Sequence, residues 1–245
     1  FAYQWWMAFF SLAGVLGYLV YLRAKMPIEL QLAAWQPEAL FPVTPTLLLD
    51  STSWPFAIGV VMIAMAVLLT GVSRLVVGTW LPWAGTLSLS AISLLAVMAG
   101  GPLMLLLAWA ALDLIDLLIV LIQVARSAGR EQAVMGLAAR ISGMAFLIWA
   151  MLLAKSEGIA LNFNAIPSDV SLFLLLAAGL RLGVIPLQTP VLGQLRIRRG
   201  LGTSLRLLPT ASSLVLLGRA ASVGVPQDIR NILFIFTAVA ALYSA

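Results

Sequence analysis

The sequence predicts an all-α fold, a polytopic transmembrane bundle of about eight helices forming one domain over residues 1–245. Three observations carry this. Of the 245 residues, 62% are hydrophobic and 9% charged, against about 25% charged in soluble domains. Several apolar stretches reach the roughly 20 residues that a helix needs to cross hydrocarbon. These runs are continuous, as in Val60–Thr70 and Leu103–Leu112, whereas barrel strands alternate apolar and polar residues.

The first span runs from Trp5 to Leu22 and is followed by Arg23 and Lys25 at the interface. A polar connection with Pro27, Glu29, Trp35, Pro37, Glu38, Pro42 and Pro45 comes next. It is too long for a hairpin and is expected to lie along the membrane surface. Asp50, Ser51 and Ser53 form an N-cap cluster before Pro55, a residue suited to a first helical turn. The second span reaches Val72 and closes with Arg74; the third covers Leu81–Met98. Gly100, Gly101 and Pro102 turn tightly into the fourth, Leu103–Val124. Arg126, Arg130 and Glu131 mark a loop before the fifth, Ala133–Leu153, which ends at Lys155. The sixth starts near Asp169, an N-cap, and runs to Ile185. Pro186 and Pro190 interrupt the apolar segment there, so a broken helix is expected near Pro186. After Arg196, Arg198 and Arg199 come a seventh span, Thr203–Leu217, and an eighth, the terminal stretch Ile229–Ala245. The chain opens at Phe1 without methionine and stops while still apolar. It reads as a piece of something longer, with eight spans a lower bound.

The basic residues sit mainly in short loops. The loops after spans two, four and six carry Arg74, Arg126, Arg130, Arg196, Arg198 and Arg199. The other side carries Arg23, Lys25, Lys155 and Arg219, so the first side is expected in the cytoplasm. A net charge of +5 therefore signals topology and anionic lipid, not nucleic acid. Trp5, Trp6, Trp54, Trp80 and Trp83 fall near predicted helix ends, as an aromatic belt requires. With no cysteine and no histidine, thiolate clusters and the commonest haem ligand are missing. No cofactor or metal is expected, and no phosphate loop or hydrolase elbow is present.

Four charges lie inside these spans: Asp113, Asp116, Arg140 and Arg181. An ionisable side chain at membrane depth costs about 2.5–3.5 kcal/mol on insertion scales and marks a pathway or a buried pair. Asp113 and Asp116, three residues apart, share one helix face. Two carboxylates so close cannot both ionise cheaply in low dielectric, which suits a proton carrier; the alternative is that each is a fixed anchor paired with an arginine. Arg181 precedes the Pro186 break, and a broken helix beside a buried charge is how transporters build midplane ion sites. For Arg140 and Arg181 the alternative is snorkelling to the headgroups. Arg206, one turn into the seventh span, is a further pathway candidate of the same kind.

The stretch Arg181-Leu-Gly-Val-Ile-Pro186-Leu187-Gln188-Thr189 resembles a segment of the antiporter-type membrane subunits of respiratory complex I and of multisubunit cation/proton antiporters. There it reads Lys-Ser-Ala-x-x-Pro-Leu-His/Gln-Thr within a discontinuous helix, and Arg181 falls at the family lysine. Leu49-Asp50-Ser51-Thr52-Ser53 resembles the Asp-x-x-Ser start of an early helix, and Trp109 the Trp of a Trp-Glu motif. Ala139-Arg140-Ile141-Ser142-Gly143 resembles an Asn-Arg-hydrophobic-Gly-Asp signal, and Gly202 through Arg219 the next helix, which ends in arginine. The resemblance covers residues 46–245 and implies half of the family's inverted repeat, with a proton path along the midplane.

This sequence also departs from the family. Ala110 stands at the family glutamate, with Asp113 one turn on as a substitute. The family lysine can lose its proton, whereas arginine effectively cannot. The family histidine is replaced by the neighbourhood of Leu205 and Arg206. The resemblance implies an integral subunit of a complex I-like or antiporter-like assembly that moves protons or Na+. It would sit in a bacterial plasma membrane beside other membrane subunits, which would hold any quinone and NADH chemistry, so this chain is at most a non-catalytic, ion-translocating subunit. The rivals are a non-pumping scaffold of the same fold and an unrelated small-solute transporter.

Overall fold

The computed structural model describes residues 2–32, 44–72, 81–123, 127–163, 166–183 and 199–223, with helical positions at 230, 231, 234, 235 and 238. Arg74, Trp80, Arg126, Pro186, Pro190, Arg196, Arg198, the connection from Trp35 to Pro42 and most of the terminal span lie outside the described residues. Among the described residues the helices are α1 (Ala2–Leu22), α2 (Ser53–Val72), α3 (Leu81–Val97), α4 (Pro102–Gln123), α5 (Ser127–Ser156), α6 (Ser168–Leu182), α7 (Arg199–Leu207) and α8 (Thr210–Val223). Five stretches are long and apolar enough to cross a membrane, the last running from α7 through α8 over Gly200–Val223. The chain is an integral membrane protein built as a helical bundle.

Several expectations are corrected: Arg130 and Glu131 lie within α5 and not in a loop, the seventh span is divided into α7 and α8, and the connection after α1 is paired. The connection after α1 contains strands β1 (Ile28–Gln31) and β2 (Thr46–Leu49), paired antiparallel with Ile28 opposite Leu49 and Gln31 opposite Thr46. It was expected to lack a hairpin because of its length, yet loop length costs little extra entropy. β2 is also held from its other side: the Leu48 N–H donates to the Met98 carbonyl at 2.6 Å and Gly100 N–H to Thr46 at 2.8 Å. A side chain on Gly100 would strike Thr46 Oγ1 at 2.6 Å, so the α3–α4 turn needs glycine there for close approach.

α1 is fastened to α2 by two indoles. Trp5 Nε1 donates to the Leu68 carbonyl at 3.1 Å, and Trp54 Nε1 to that of Leu19 at 2.8 Å. Both acceptors lie in the last turns of their helices. α2 starts at a reciprocal cap: Ser53 N–H donates to Asp50 Oδ1 at 2.7 Å and Asp50 N–H to Ser53 Oγ at 3.0 Å. This is the logic of a capping box with serine in place of glutamate.

α3 packs on α4, α4 on α5, α5 on α6, and α6 on α8. Leu174, Ala177, Ala178, Leu147, Ala150 and Leu112 fill the shared core. α6 has 15 residues, about 22 Å, well short of the roughly 30 Å of hydrocarbon. It ends at Leu182 and not at Ile185 as expected, because Gly183 takes the left-handed conformation (φ 74°) and its N–H closes onto Gly179 and Leu180 carbonyls. Glycine adopts that backbone without steric cost. The last turn of α6 carries Arg181 against α4 and α5.

Candidate functional site

Helical periodicity puts Asp113 and Asp116 on the face of α4 opposite its lipid-type stripe of Leu107, Leu114, Leu118 and Ile122, which is exposed. Both aspartates are 3% exposed. Arg181, at the C-terminus of α6, grips Asp113 through both oxygens: Nη1 to Oδ2 at 2.7 Å and Nη2 to Oδ1 at 3.0 Å. This is the strong two-pronged geometry of guanidinium and carboxylate. Arg140 reaches in from α5, its Nη1 paired with Asp116 Oδ2 and its Nε 3.3 Å from Asp113 Oδ1. Two aspartates and two arginines make the cluster formally neutral, which lowers the cost of burying it.

Gly143 makes the geometry possible. A Cβ there would lie 2.9 Å from the Ala177 carbonyl oxygen and 2.9 Å from Arg181 Cγ. The backbone of α5 therefore touches α6 where the stem of Arg181 passes, as small residues allow in membrane bundles. Trp109, fully buried one turn before Asp113, supports the other side. The guanidinium carbon of Arg181 sits 4.4 Å from its ring centre, a cation–π contact. Its Nε1 donates to Ser212 Oγ of α8 at 3.0 Å, and Ser212 donates to the Pro209 carbonyl at 3.0 Å.

The sequence reading passed over the inward hydroxyls. Thr86, Ser90 and Ser93 lie on one face of α3 and are buried. Thr86 Oγ1 is 3.4 Å from Ser204 Oγ of α7, and Ser90 donates to the Thr86 carbonyl at 2.6 Å. Their spacing of four and then three residues was the signal for a polar seam between helices. The partner of Arg219 was missed as well. Arg219 Nη2 meets Asp50 Oδ2 at 3.3 Å and its Nη1 donates to the Ala99 carbonyl at 2.8 Å. Burial pushes Asp50 up, but the Ser53 N–H, the Arg219 charge and the Ser53 hydroxyl together outweigh it and hold the carboxyl below the usual carboxylate range.

Of the residues proposed from sequence, the structure brings Asp113, Asp116, Arg140 and Arg181 together. Arg206 does not join them: it is exposed on α7, and no ion pair among the described residues includes it. Pro186 and Pro190 lie outside the described residues.

A helical membrane protein with a buried, neutral cluster of acids and guanidinium groups is the class these features define. Its fold is similar to that of chains in two solved membrane complexes. One is from the membrane-bound sulfane sulfur reductase, an archaeal respiratory membrane complex, with TM-score 0.57 and 20% identity over 73% of this chain and 30% of that one. The other is from the Mrp complex of Dietzia sp. DQ12-45-1b, with TM-score 0.56 and 22% identity over 69% of this chain and 20% of that one. The alignments thus span less than a third of either relative. The likeness is one of fold, and at that level it supports the resemblance to antiporter-type membrane subunits. No protein-family model and no curated protein matches the sequence.

Proposed function

We propose that this chain is an integral subunit of a complex I-like or antiporter-like assembly and takes part in moving protons or Na+ across a bacterial plasma membrane. One observation carries the reading: four charges from three helices meet inside the bundle, three of them buried and Arg140 partly exposed. Buried acids at membrane depth are expensive and are typical of ion routes. The similarity to chains of a respiratory membrane complex and of the Mrp complex supports other membrane subunits as partners. Any redox chemistry would then belong to those partners.

A second reading has its own support. Asp113 is closed on both oxygens by Arg181, and a guanidinium does not give up a proton. A scaffold that uses the cluster as fixed ion pairs would look the same at Asp113. Two charge-neutral double variants separate the readings in the reconstituted assembly: Asp113→Asn with Arg181→Gln, and Asp116→Asn with Arg140→Gln. Loss of ion flux in at least one, with the complex still assembled, is expected. Wild-type flux in both would leave the scaffold.

A further inference from the structure

The two acids are not equivalent. Both oxygens of Asp113 are engaged, by Arg181 at 2.7 and 3.0 Å and by Arg140 Nε at 3.3 Å. Asp116 has one oxygen on Arg140, while its Oδ1 is buried and has no hydrogen-bond partner among the described residues. Arg140 Nε faces Asp113 Oδ1 at 3.3 Å as an ion pair without a hydrogen bond, so the unmet acceptor of the cluster is Asp116 Oδ1. Leaving a buried acceptor unmet is unfavourable, and a bridging water or an added proton relieves it. Arg140 is also the member nearest the surface: its side chain is 20% exposed, against 2% for Arg181 and 5% for each aspartate.

We infer that Asp116 is the carboxyl that exchanges a proton with water, that Asp113 is its fixed counterpart, and that Arg140 is the arm shared between them. The transport role of this exchange rests on the function proposed above. In the exchange a hydronium ion gives its proton to Asp116 Oδ1 and leaves as water. The neutral acid no longer holds Arg140 Nη1, and the guanidinium keeps its contact with Asp113 through Nε. When a second water takes the proton away as hydronium, the Asp116–Arg140 pair re-forms. The charged groups facing Asp116 are Asp113 from its own helix, Arg140 from α5 and Arg181 from α6. α3, packed on the other flank of α4, has no charged residue between Leu81 and Val97.

Dicyclohexylcarbodiimide, which partitions into membranes, tests this directly. It adds to a protonated carboxyl: the acid proton goes to one nitrogen and the carboxylate oxygen to the central carbon. In the reconstituted assembly, mass mapping of the α4 peptide is expected to find the adduct on Asp116 and not on Asp113. Labelling should fall about tenfold per pH unit once pH exceeds the acid's titration point. Asp116→Asn should lose both the adduct and ion flux, and Asp116→Glu should keep both. If Asp116→Asn does not assemble, the glutamate variant and the wild-type mapping decide. An adduct on Asp113, or on neither acid, overturns the inference. So does wild-type flux in Asp116→Asn when the Asp113/Arg181 double variant is inactive, an outcome that leaves the proposed function standing. If instead both double variants transport normally, the proposed function falls, while a pH-dependent Asp116 adduct still establishes the exchange.

Discussion

Two ion-pair sites, one part-buried and one deeper, lie in the same bundle, and they are built differently. At the end where β2, the α3–α4 turn and α8 meet, Asp50 and Arg219 are tied mainly into backbone. Asp50 caps α2, and Arg219 donates to the Ala99 carbonyl while its guanidinium lies 5.7 Å from the Phe163 ring. Among the described residues, the Asp113–Asp116–Arg140–Arg181 cluster consists of side chains answering side chains from three helices. A site whose charges close off helix ends is a latch. A site whose charges answer one another can be re-dealt when one of them is neutralised, and the proposed ion role rests on this contrast.

The largest break in the comparison comes from removing Arg181. Arg181→Leu leaves Asp113 buried without its two-pronged partner and should cost about 3–5 kcal/mol, whereas Arg181→Leu with Asp113→Leu should recover most of it. Unfolding of the purified chain in mixed micelles measures both. Gly143→Ala pushes α5 off α6 at the Ala177 carbonyl and the Arg181 stem and should cost about 1–3 kcal/mol in the same assay. At the latch, Asp50→Ala removes a helix cap, worth about 0.5–2 kcal/mol. pH sharpens this one. The Asp50 carboxyl is held below its usual range, so its contribution is complete above the ordinary carboxylate value and disappears as pH falls through the lowered one. The stability difference between wild type and Asp50→Ala should stay flat from neutral pH down to the ordinary carboxylate range and shrink only below it. Arg206→Gln, on an exposed face of α7, should leave both unfolding and ion flux at wild-type values.

Composition and run length made the membrane bundle legible, and the spacing of Asp113 and Asp116 placed them on one face. That arginines would meet them was expected from the four in-span charges, but which arginine faces which acid was not, because helix packing decides the pairing. The β1–β2 pair was hidden because Ile28–Gln31 and Thr46–Leu49 are short and lie either side of a long polar segment. The Asp50–Arg219 contact joins residues 169 apart; locally, one reads as a cap and the other as the end of a helix. The stop of α6 at Leu182 turned on Gly183, which the two prolines further on had overshadowed.

Trp109 gives the bundle an unusual kind of elbow. Its flat side bears on Arg181 and its rim is pinned to Ser212, just past the bend at Pro209 between α7 and α8. The seat of α8 thereby fixes the floor on which the guanidinium rests, through an uncharged ring.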